Sequence, residues 1–361
     1  MADLFDYMTL RGGVSFRGIP ADEADYYIIS KIGCPDLTGI VPRDEKEVSV
    51  GDAVAAFRAR TGNGGASLGV AASQQVLRCF YRLPSVPRYR SLMLSGYRNI
   101  NDPAKTEQFF ALTVRLPDGT RCVTFRGTDD TIIAWKENFR MSVEDTVPAQ
   151  EDALRYLRWA MDAYDGRVVV CGHSKGGNLA VYAASMLPRD LQERVVSVYS
   201  FDGPGFREAF LKQEGYRRLL GKIHTLVPQN SIVGLLLSTG EEPEIVTCRS
   251  FGARAHDGFT WEVSGTRFAR SRALSPSSAM FRKAMRETLS GMSQKERETF
   301  IEDFFQIMTS TGAFTLTDLT EIDLRRALEI VQSLSQNREV HKFALSFLTN
   351  CFADLRRLRK N

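Results

Sequence analysis

Long hydrophobic runs are missing from this sequence. The most apolar stretch, residues 231–237, is far too short to cross a bilayer. The first residues carry no cationic start followed by an apolar run, so we expect no signal peptide. Charge is balanced, since 47 Lys and Arg stand against 43 Asp and Glu and give a formal net charge of +4. So small an excess argues against a nucleic-acid partner.

Clustered cysteines are also absent. The six cysteines lie far apart and form neither a C-x-x-C pair nor a Cys/His cluster with the spacing of zinc ligands. Cys122 and Cys171 fall inside apolar runs typical of core strands, which indicates small buried thiols. Reduced thiols predict a cytoplasmic protein. We expect neither a metal nor an organic cofactor.

One basic run occurs, at residues 356–360, where a helical segment is predicted to end. Cations at that position complement the negative end of the helix dipole. Binding to a membrane surface or to nucleic acid is the alternative for this run.

The rest of the composition is typical of a folded protein, with 43% hydrophobic and 25% charged residues. From about residue 91, strand-like apolar runs alternate with helical patterns. This alternation predicts an α/β fold with a mostly parallel central sheet, because crossover helices cover both faces of such a sheet. The predicted strands are 91–97, 107–116, 121–127, 168–172, 195–201, 222–228 and 244–250, and helices are predicted at 153–164 and 178–187.

Three regions follow from these patterns. Residues 1–90 are predicted to be a preface or lid segment, residues 91–274 a catalytic domain, and residues 275–361 a C-terminal helical region. In the last region, Ser293 and Glu296 have the spacing of a capping box at the start of a helix.

One pentapeptide has the context of a nucleophile. Residues 172–176 read G-H-S-K-G and match the G-x-S-x-G pattern, with an apolar strand before them and an Ala-rich helix after them. Glycines are needed there because the nucleophile sits on a cramped turn with strained backbone angles. The helix points its N-terminus at Ser174, and its free amides favour a developing oxyanion. A structural turn with an incidental serine is the alternative.

A second match to the same pattern, residues 65–69, lacks this context. The segment before it is polar and carries no apolar strand. Ser67 is therefore predicted to be a loop or helix-cap serine.

Two segments resemble class 3 lipases of the α/β-hydrolase superfamily. GHSKGGNLA (172–180) is similar to the lipase elbow, and FRGT (125–128) is similar to the lipase motif that precedes a D-W dipeptide. This likeness covers about residues 105–260. The likeness to the bacterial Mbeg-like family runs nearly end to end and includes HDGFTWEV (256–263). The resemblance implies an α/β-hydrolase fold that cleaves lipid-like or small acyl esters without a cofactor.

The resemblance also implies an oxyanion hole built from two loops. The loop after strand 121–127 would bring the Thr128 backbone N–H, and its hydroxyl, beside the Lys175 backbone N–H. Two donors would then face one oxyanion. The alternative for Thr128 is a hydroxyl that stabilises a turn.

The predicted general base is His256. A serine hydroxyl needs a base within hydrogen-bonding reach, and histidine has a suitable pKa. Among the four histidines, His173 adjoins the nucleophile on a turn where side chains diverge, His224 falls within a strand, and His341 lies in the helical tail. His256 lies in a loop downstream of the serine, as the chain order of this fold requires. A surface-loop histidine is the alternative, and His173 is expected to pack or to hydrogen-bond.

The predicted acid is Asp202, which directly follows strand 195–201. Class 3 lipases carry their acid in a segment that corresponds here to residues 230–234, but Ser231 stands where aspartate is expected. The strand before Asp202 neighbours the nucleophile strand, so that both carboxyl ends face one crevice. The arrangement is similar to that of pancreatic-type lipases. An Asx turn is the alternative for Asp202, and Asp257 adjoins His256 too closely to bend back to it.

These residues predict ester hydrolysis. Ser174 would attack the carbonyl, His256 would take and return the proton, and Asp202 would orient the imidazole. A thioesterase, amidase or peptidase would use the same parts. The rival hypothesis is a non-catalytic binding protein, supported by the serine at position 231, and a third is partner binding through the C-terminal helices. The sequence does not indicate whether the protein forms oligomers.

Overall fold

The computed structural model describes residues 2–62, 74–102, 107–127, 136, 141, 144, 146–290, 292–310, 312 and 340. The fold is mixed α/β, with an eight-stranded sheet whose strands lie side by side in chain order. These strands are β1 (Val48–Ser49), β2 (Met93–Asp102), β3 (Glu107–Arg115), β4 (Arg121–Phe125), β5 (Val168–His173), β6 (Val195–Phe201), β7 (Ile223–Pro228) and β8 (Glu244–Val246). Strands β1 to β4 pair antiparallel, whereas β4 to β8 pair parallel. A small antiparallel pair consists of β9 (Val263–Ser264) and β10 (Arg267–Phe268).

Helices flank the sheet. In chain order the described α-helices are α1 (Leu4–Arg11), α2 (Glu23–Lys31), α3 (Val50–Thr61), α4 (Gln74–Arg82), α5 (Pro148–Asp162), α6 (Lys175–Ser185), α7 (Arg189–Arg194), α8 (Glu208–Leu211), α9 (Glu214–Leu219), α10 (Gly252–Ala255), α11 (Pro276–Ser290) and α12 (Gln294–Ser310). None of these described helices is both long and apolar enough to cross a membrane.

Residues 168–172 of strand β5 are all apolar because both faces of the sheet are covered. Val169 and Cys171 belong to the hydrophobic cluster that includes the N-terminal helices, whereas Val168 and Val170 belong to the cluster that includes α5 and α6. Side chains of a strand alternate between its two faces, so a strand covered on both sides loses its polar positions. This explains the continuous apolar run and confirms the predicted central strand.

The segment 1–90 contributes one of these two covering layers. Helix α2 packs on β4, β5 and β6. The buried guanidinium of Arg88 forms a bidentate ion pair with the buried carboxylate of Asp25, at 2.8 and 2.7 Å. Tyr7 and Tyr89 also donate hydrogen bonds to this carboxylate. These bonds join separate parts of the N-terminal segment to α2, and α2 in turn packs on the sheet.

Several predicted boundaries differ from the structure, among them the end of one strand and the start of one helix. The strand predicted at 244–250 ends at Val246, because the backbone N–H groups of Thr247 and Arg249 donate to Ala269 and Thr260 instead of extending the sheet. The helix predicted at 178–187 begins earlier, at Lys175. It starts at the residue directly after Ser174, so no linker separates the predicted nucleophile from the helix.

The C-terminal helices and the cysteines agree with expectation where the structure describes them. Ser293 N–H donates to Glu296 Oε2 at 2.8 Å and Ser293 Oγ accepts from Glu296 N–H, which confirms the capping box before α12. The five described cysteines are free thiols, and Cys122 and Cys171 are buried as predicted. Cys351 and the basic run 356–360 lie outside the described residues.

Candidate active site

Ser174 stands at a sharp turn between β5 and α6. Its backbone angles are φ 59° and ψ −135°, and only 7% of the residue is exposed. A positive φ is rare for a residue with a Cβ and costs on the order of 1–3 kcal/mol. The turn is held by two backbone hydrogen bonds, from Ser174 N–H to Phe201 O at 2.9 Å and from Gly177 N–H to Ser174 O at 2.8 Å. The serine is thus fixed in a strained conformation at the carboxyl edge of the sheet.

The glycines of the pentapeptide are needed for close packing. A Cβ on Gly172 would overlap the carbonyl of Gly176, and a Cβ on Gly176 would overlap the carbonyl of Phe125 at the end of β4. The ends of β4, β5 and α6 can therefore approach one another only without side chains at these two positions.

Lys175 is the first residue of α6, so its backbone N–H lies in the first turn, at the positive end of the helix. Its side chain is fully buried, and its Nζ donates to Gln108 O at 3.4 Å. The helix places its positive end at Ser174, where a developing negative charge would be stabilised. This position is the one expected of an oxyanion-hole residue.

The chain that leaves β4 passes beside the serine. A Cβ built on Gly127 would lie 2.8 Å from Ser174 Cβ and 3.3 Å from Ser174 Oγ. Gly127 thus borders the hydroxyl, as expected of the loop predicted to donate the second N–H. Thr128 itself lies outside the described residues, and its role stays a prediction.

Asp202 and His256 form a hydrogen-bonded pair. His256 Nδ1 donates to Asp202 Oδ2 at 2.6 Å, although the two residues are 54 positions apart. Asp202 directly follows β6, is fully buried and has a φ of 48°. Its other oxygen, Oδ1, accepts from Ser231 Oγ at 2.6 Å and from Gly234 N–H at 3.0 Å. The carboxylate therefore bonds to three distant donors, which differs from the Asx turn considered as the alternative.

Ser231 is the residue whose contribution the sequence did not reveal. It was expected to mark a missing acid, but its hydroxyl donates a hydrogen bond to Asp202, the predicted acid. The only indication in the sequence is the pairing of an aspartate after one strand with a hydroxyl where the lipase acid would stand. Inferring the contact requires knowing that β6 and β7 are neighbours.

His256 follows α10 and lies beside the turn. Its ring centroid is 4.3 Å from that of His173, the residue before Ser174, and its side chain is 18% exposed. Asp257, next in the chain, instead caps the following 3-10 turn by accepting from Phe259 N–H at 3.1 Å. His224 lies apart, with its Nδ1 3.5 Å from Glu244 Oε1. His341 lies outside the described residues.

His173 hydrogen-bonds, as expected for this position. Its Nε2 lies 2.7 Å from the backbone oxygen of His256, and since a carbonyl only accepts, Nε2 is the donor. Burial, the charge of Lys31 and the neighbouring His256 together hold the pKa of His173 well below its usual range. The ring is therefore neutral at neutral pH, as a single donor to a carbonyl can be.

The carboxyl edge of the sheet thus brings together a strained serine, a helix N-terminus and a carboxylate–imidazole pair. This set could support nucleophilic attack with proton transfer. Among the residues that the structure describes, no group of three or more His, Cys, Asp or Glu side chains is arranged to hold a metal ion.

Comparison with known proteins gives one family. The family model described as Mbeg1-like matches residues 83–306, which is more than half of the chain. The match begins before β2, spans Ser174, Asp202 and His256, and ends within α12. A search of curated proteins finds no match.

Proposed function

Because the chain belongs to the Mbeg1-like family and carries a strained serine beside a carboxylate–imidazole pair, we propose that it is a serine hydrolase of the α/β-hydrolase superfamily. It cleaves carboxylic esters through an acyl-enzyme on Ser174. The lipase relation is part of this proposal and rests on the resemblance of residues 125–128 and 172–180.

The observation that carries the proposal is the hydrogen bond between His256 Nδ1 and Asp202 Oδ2 at 2.6 Å. A proton held on Nδ1 leaves the lone pair on Nε2, which is the tautomer that a general base requires. The buried carboxylate also stabilises the imidazolium that forms when the base takes a proton. A histidine that served only as a surface residue would have no need of a fully buried carboxylate partner.

The proposed reaction has two halves. Ser174 Oγ attacks the ester carbonyl while His256 Nε2 takes its proton, and the tetrahedral oxyanion accepts hydrogen bonds from the backbone N–H groups of Lys175 and Thr128. The C–O bond to the leaving group then breaks, and His256 returns the proton to the departing alcohol. In the second half, water attacks the acyl-enzyme, His256 again takes the proton, and Ser174 leaves as the hydroxyl.

The substrate class comes from the resemblance to class 3 lipases, which implies a lipid-like or small acyl ester. Thioesters and amides would be attacked by the same parts, since they differ chiefly in the leaving group. The cytoplasmic location predicted from the free thiols belongs to the same proposal.

Labelling with a fluorophosphonate probe tests the proposal. The wild-type protein is expected to be labelled, the Ser174→Ala variant to be unlabelled, and the His256→Ala variant to be labelled far more slowly. Ser67→Ala is the matched control, since Ser67 lies in the second G-x-S-x-G match and should not affect labelling. A folded wild-type protein that resists the probe would favour the binding-protein hypothesis.

A series of p-nitrophenyl esters of graded chain length then identifies the acyl preference. Hydrolysis should require Ser174 for every ester. Parallel assays with a thioester and an anilide of the preferred acyl group identify the preferred leaving group. Faster cleavage of the anilide than of the ester would indicate an amidase and not an esterase.

A further inference from the structure

The short segment that carries His256 is held by its backbone at three points. His173 Nε2 donates to His256 O at 2.7 Å, Gly258 N–H donates to Tyr27 Oη at 2.8 Å, and Trp261 Nε1 donates to Ala255 O at 2.8 Å. Trp261 lies within the same segment, so its bond shapes the loop locally. His173 and Tyr27 lie far away in sequence and anchor the loop to other elements.

The anchor formed by His173 differs from the other two in its place in the chain. His173 is the last residue of β5, in register with Phe201 of β6, and the next residue is Ser174. Its ring packs against that of Tyr27 in a T-shaped arrangement at a centroid distance of 5.7 Å, which limits its rotation. The end of one strand thus determines the position of both the nucleophile and the main chain of the base.

The chemistry of this anchor suits a permanent donor. The rings of His256 and Tyr27 pack against His173, and the positive charge of Lys31 on α2 acts on it. The nearby positive charge and burial both disfavour a second proton on the ring. His173 therefore keeps one N–H, on the nitrogen that faces the His256 carbonyl.

We propose that His173 is a positioning residue, which uses its hydrogen bond to the His256 carbonyl to keep the imidazole of His256 at a fixed distance from Ser174. This inference rests on the proposed function, because positioning has a catalytic meaning only if His256 is the base. A displacement of about 1 Å between reacting groups can reduce the rate up to about 100-fold. One hydrogen bond at the end of β5 is thus expected to have a kinetic effect well beyond its effect on stability.

A pair of amide variants tests this role. His173→Gln places an amide nitrogen where Nε2 lies, because the two side chains have the same number of bonds to that atom. His173→Asn offers the same functional group one methylene short of the carbonyl. The inactivation kinetics of a fluorophosphonate probe are measured for both variants, together with thermal unfolding.

The expected result separates kinact from KI. His173→Asn should lower kinact on the order of 10-fold to 100-fold with KI unchanged, and His173→Gln should restore most of it. Equal kinact values in the two variants and the wild type would overturn the proposal. Tyr27→Phe, which removes the second anchor while keeping the ring, should lower kinact in the same direction but less, and it serves if His173→Asn does not fold.

A second readout does not depend on catalysis. The proton between His256 Nδ1 and Asp202 should give a downfield NMR resonance, assigned by its loss in His256→Ala. This resonance should broaden or vanish in His173→Asn and persist in His173→Gln, and its persistence in both variants contradicts the positioning role. A wild-type protein that shows the resonance but resists the probe would refute the proposed function and leave the structural tether standing.

Discussion

Ser231 donates its hydroxyl proton to Asp202 Oδ1 at 2.6 Å, while His256 donates to the other oxygen of the same carboxylate. Ser231 and Asp202 are both buried, at 1% and 0% exposure. A buried carboxylate needs its lone pairs satisfied, and hydrogen bonds to the charged form stabilise it. The serine at this position is thus a hydrogen-bond partner of Asp202, the proposed acid, so Ser231 no longer counts as support for the binding-protein hypothesis.

Ser231→Ala should weaken both stability and reaction. Loss of a hydrogen bond to a charged group costs about 1.5–3 kcal/mol, so urea denaturation should show a decrease of that order in the free energy of unfolding. The labelling rate should fall as well, because the carboxylate would be free to turn away from His256.

The control for this variant is Ser185→Ala. Ser185 is also buried, but its Oγ has no hydrogen-bond partner among the described residues. Its removal should change the free energy of unfolding and the labelling rate little. Equal effects of the two variants would contradict the assigned role of Ser231.

The strained turn makes a prediction about stability alone. Ser174→Gly relieves the cost of a positive φ, whereas Ser174→Ala keeps a Cβ and with it the strain. Although glycine adds entropy to the unfolded chain, the glycine variant should be more stable than the alanine variant by about 1 kcal/mol. Thermal unfolding of the two variants measures the difference. An alanine variant as stable as the glycine variant would show that the turn stores no strain.

The ion pair between Asp25 and Arg88 should stabilise the whole molecule. Asp25→Asn leaves the buried guanidinium without its countercharge, and breaking a buried pair costs about 3–5 kcal/mol. Because α2 packs on the central sheet, circular dichroism and tryptophan fluorescence should shift together in a denaturant titration. Glu151→Gln, which removes an exposed i,i+4 partner of Arg155, is the control and should have an effect below about 1 kcal/mol. A separate early transition of the N-terminal helices would contradict this picture.

The lowered pKa of Glu244 predicts that part of the folding stability depends on pH. Hydrogen bonds from His224 and Arg270 lower the pKa of Glu244 to about 2 from its ordinary 4.5. A lowered pKa in the folded state contributes stability above pH 4.5, and this contribution is lost as the pH falls through about 2. Urea denaturation should therefore show Glu244→Gln less stable than the wild type near neutral pH, with a difference that shrinks between these two values. A difference that stays constant across this range would be incompatible with the assignment.

The elbow could be predicted from the sequence because its determinants are local. An apolar strand, a glycine-flanked serine and an Ala-rich helix occupy fewer than thirty consecutive positions, and each residue type has a direct steric reason. The same holds for the capping box at Ser293 and for the parallel arrangement around β5. The predicted end of β8 was wrong because the backbone N–H groups of Thr247 and Arg249 donate to carbonyls at residues 269 and 260. No local pattern indicates these partners.

The contacts around Asp202 depend on distant parts of the chain. His256 was predicted by elimination among four histidines, and Asp202 from its place after a strand next to the nucleophile strand. The hydrogen bond between them joins positions 54 apart, so no local pattern indicates it. The partners of Ser231 and His173 could not be predicted for the same reason, since a hydroxyl or an imidazole can form hydrogen bonds with many different groups. The segment that contains α2 was predicted only as a preface or lid, because the packing of α2 on the sheet depends on tertiary contacts.

The most direct test of the central claim is the mass of the intact protein during turnover of a p-nitrophenyl ester. Rapid mixing and acid quench should trap a protein heavier by one acyl group, with the adduct on the peptide that contains Ser174 and a matching burst of p-nitrophenol. Ser174→Ala should give neither. Steady ester hydrolysis by the wild-type protein without any adduct, or with the adduct on another residue, would contradict the account.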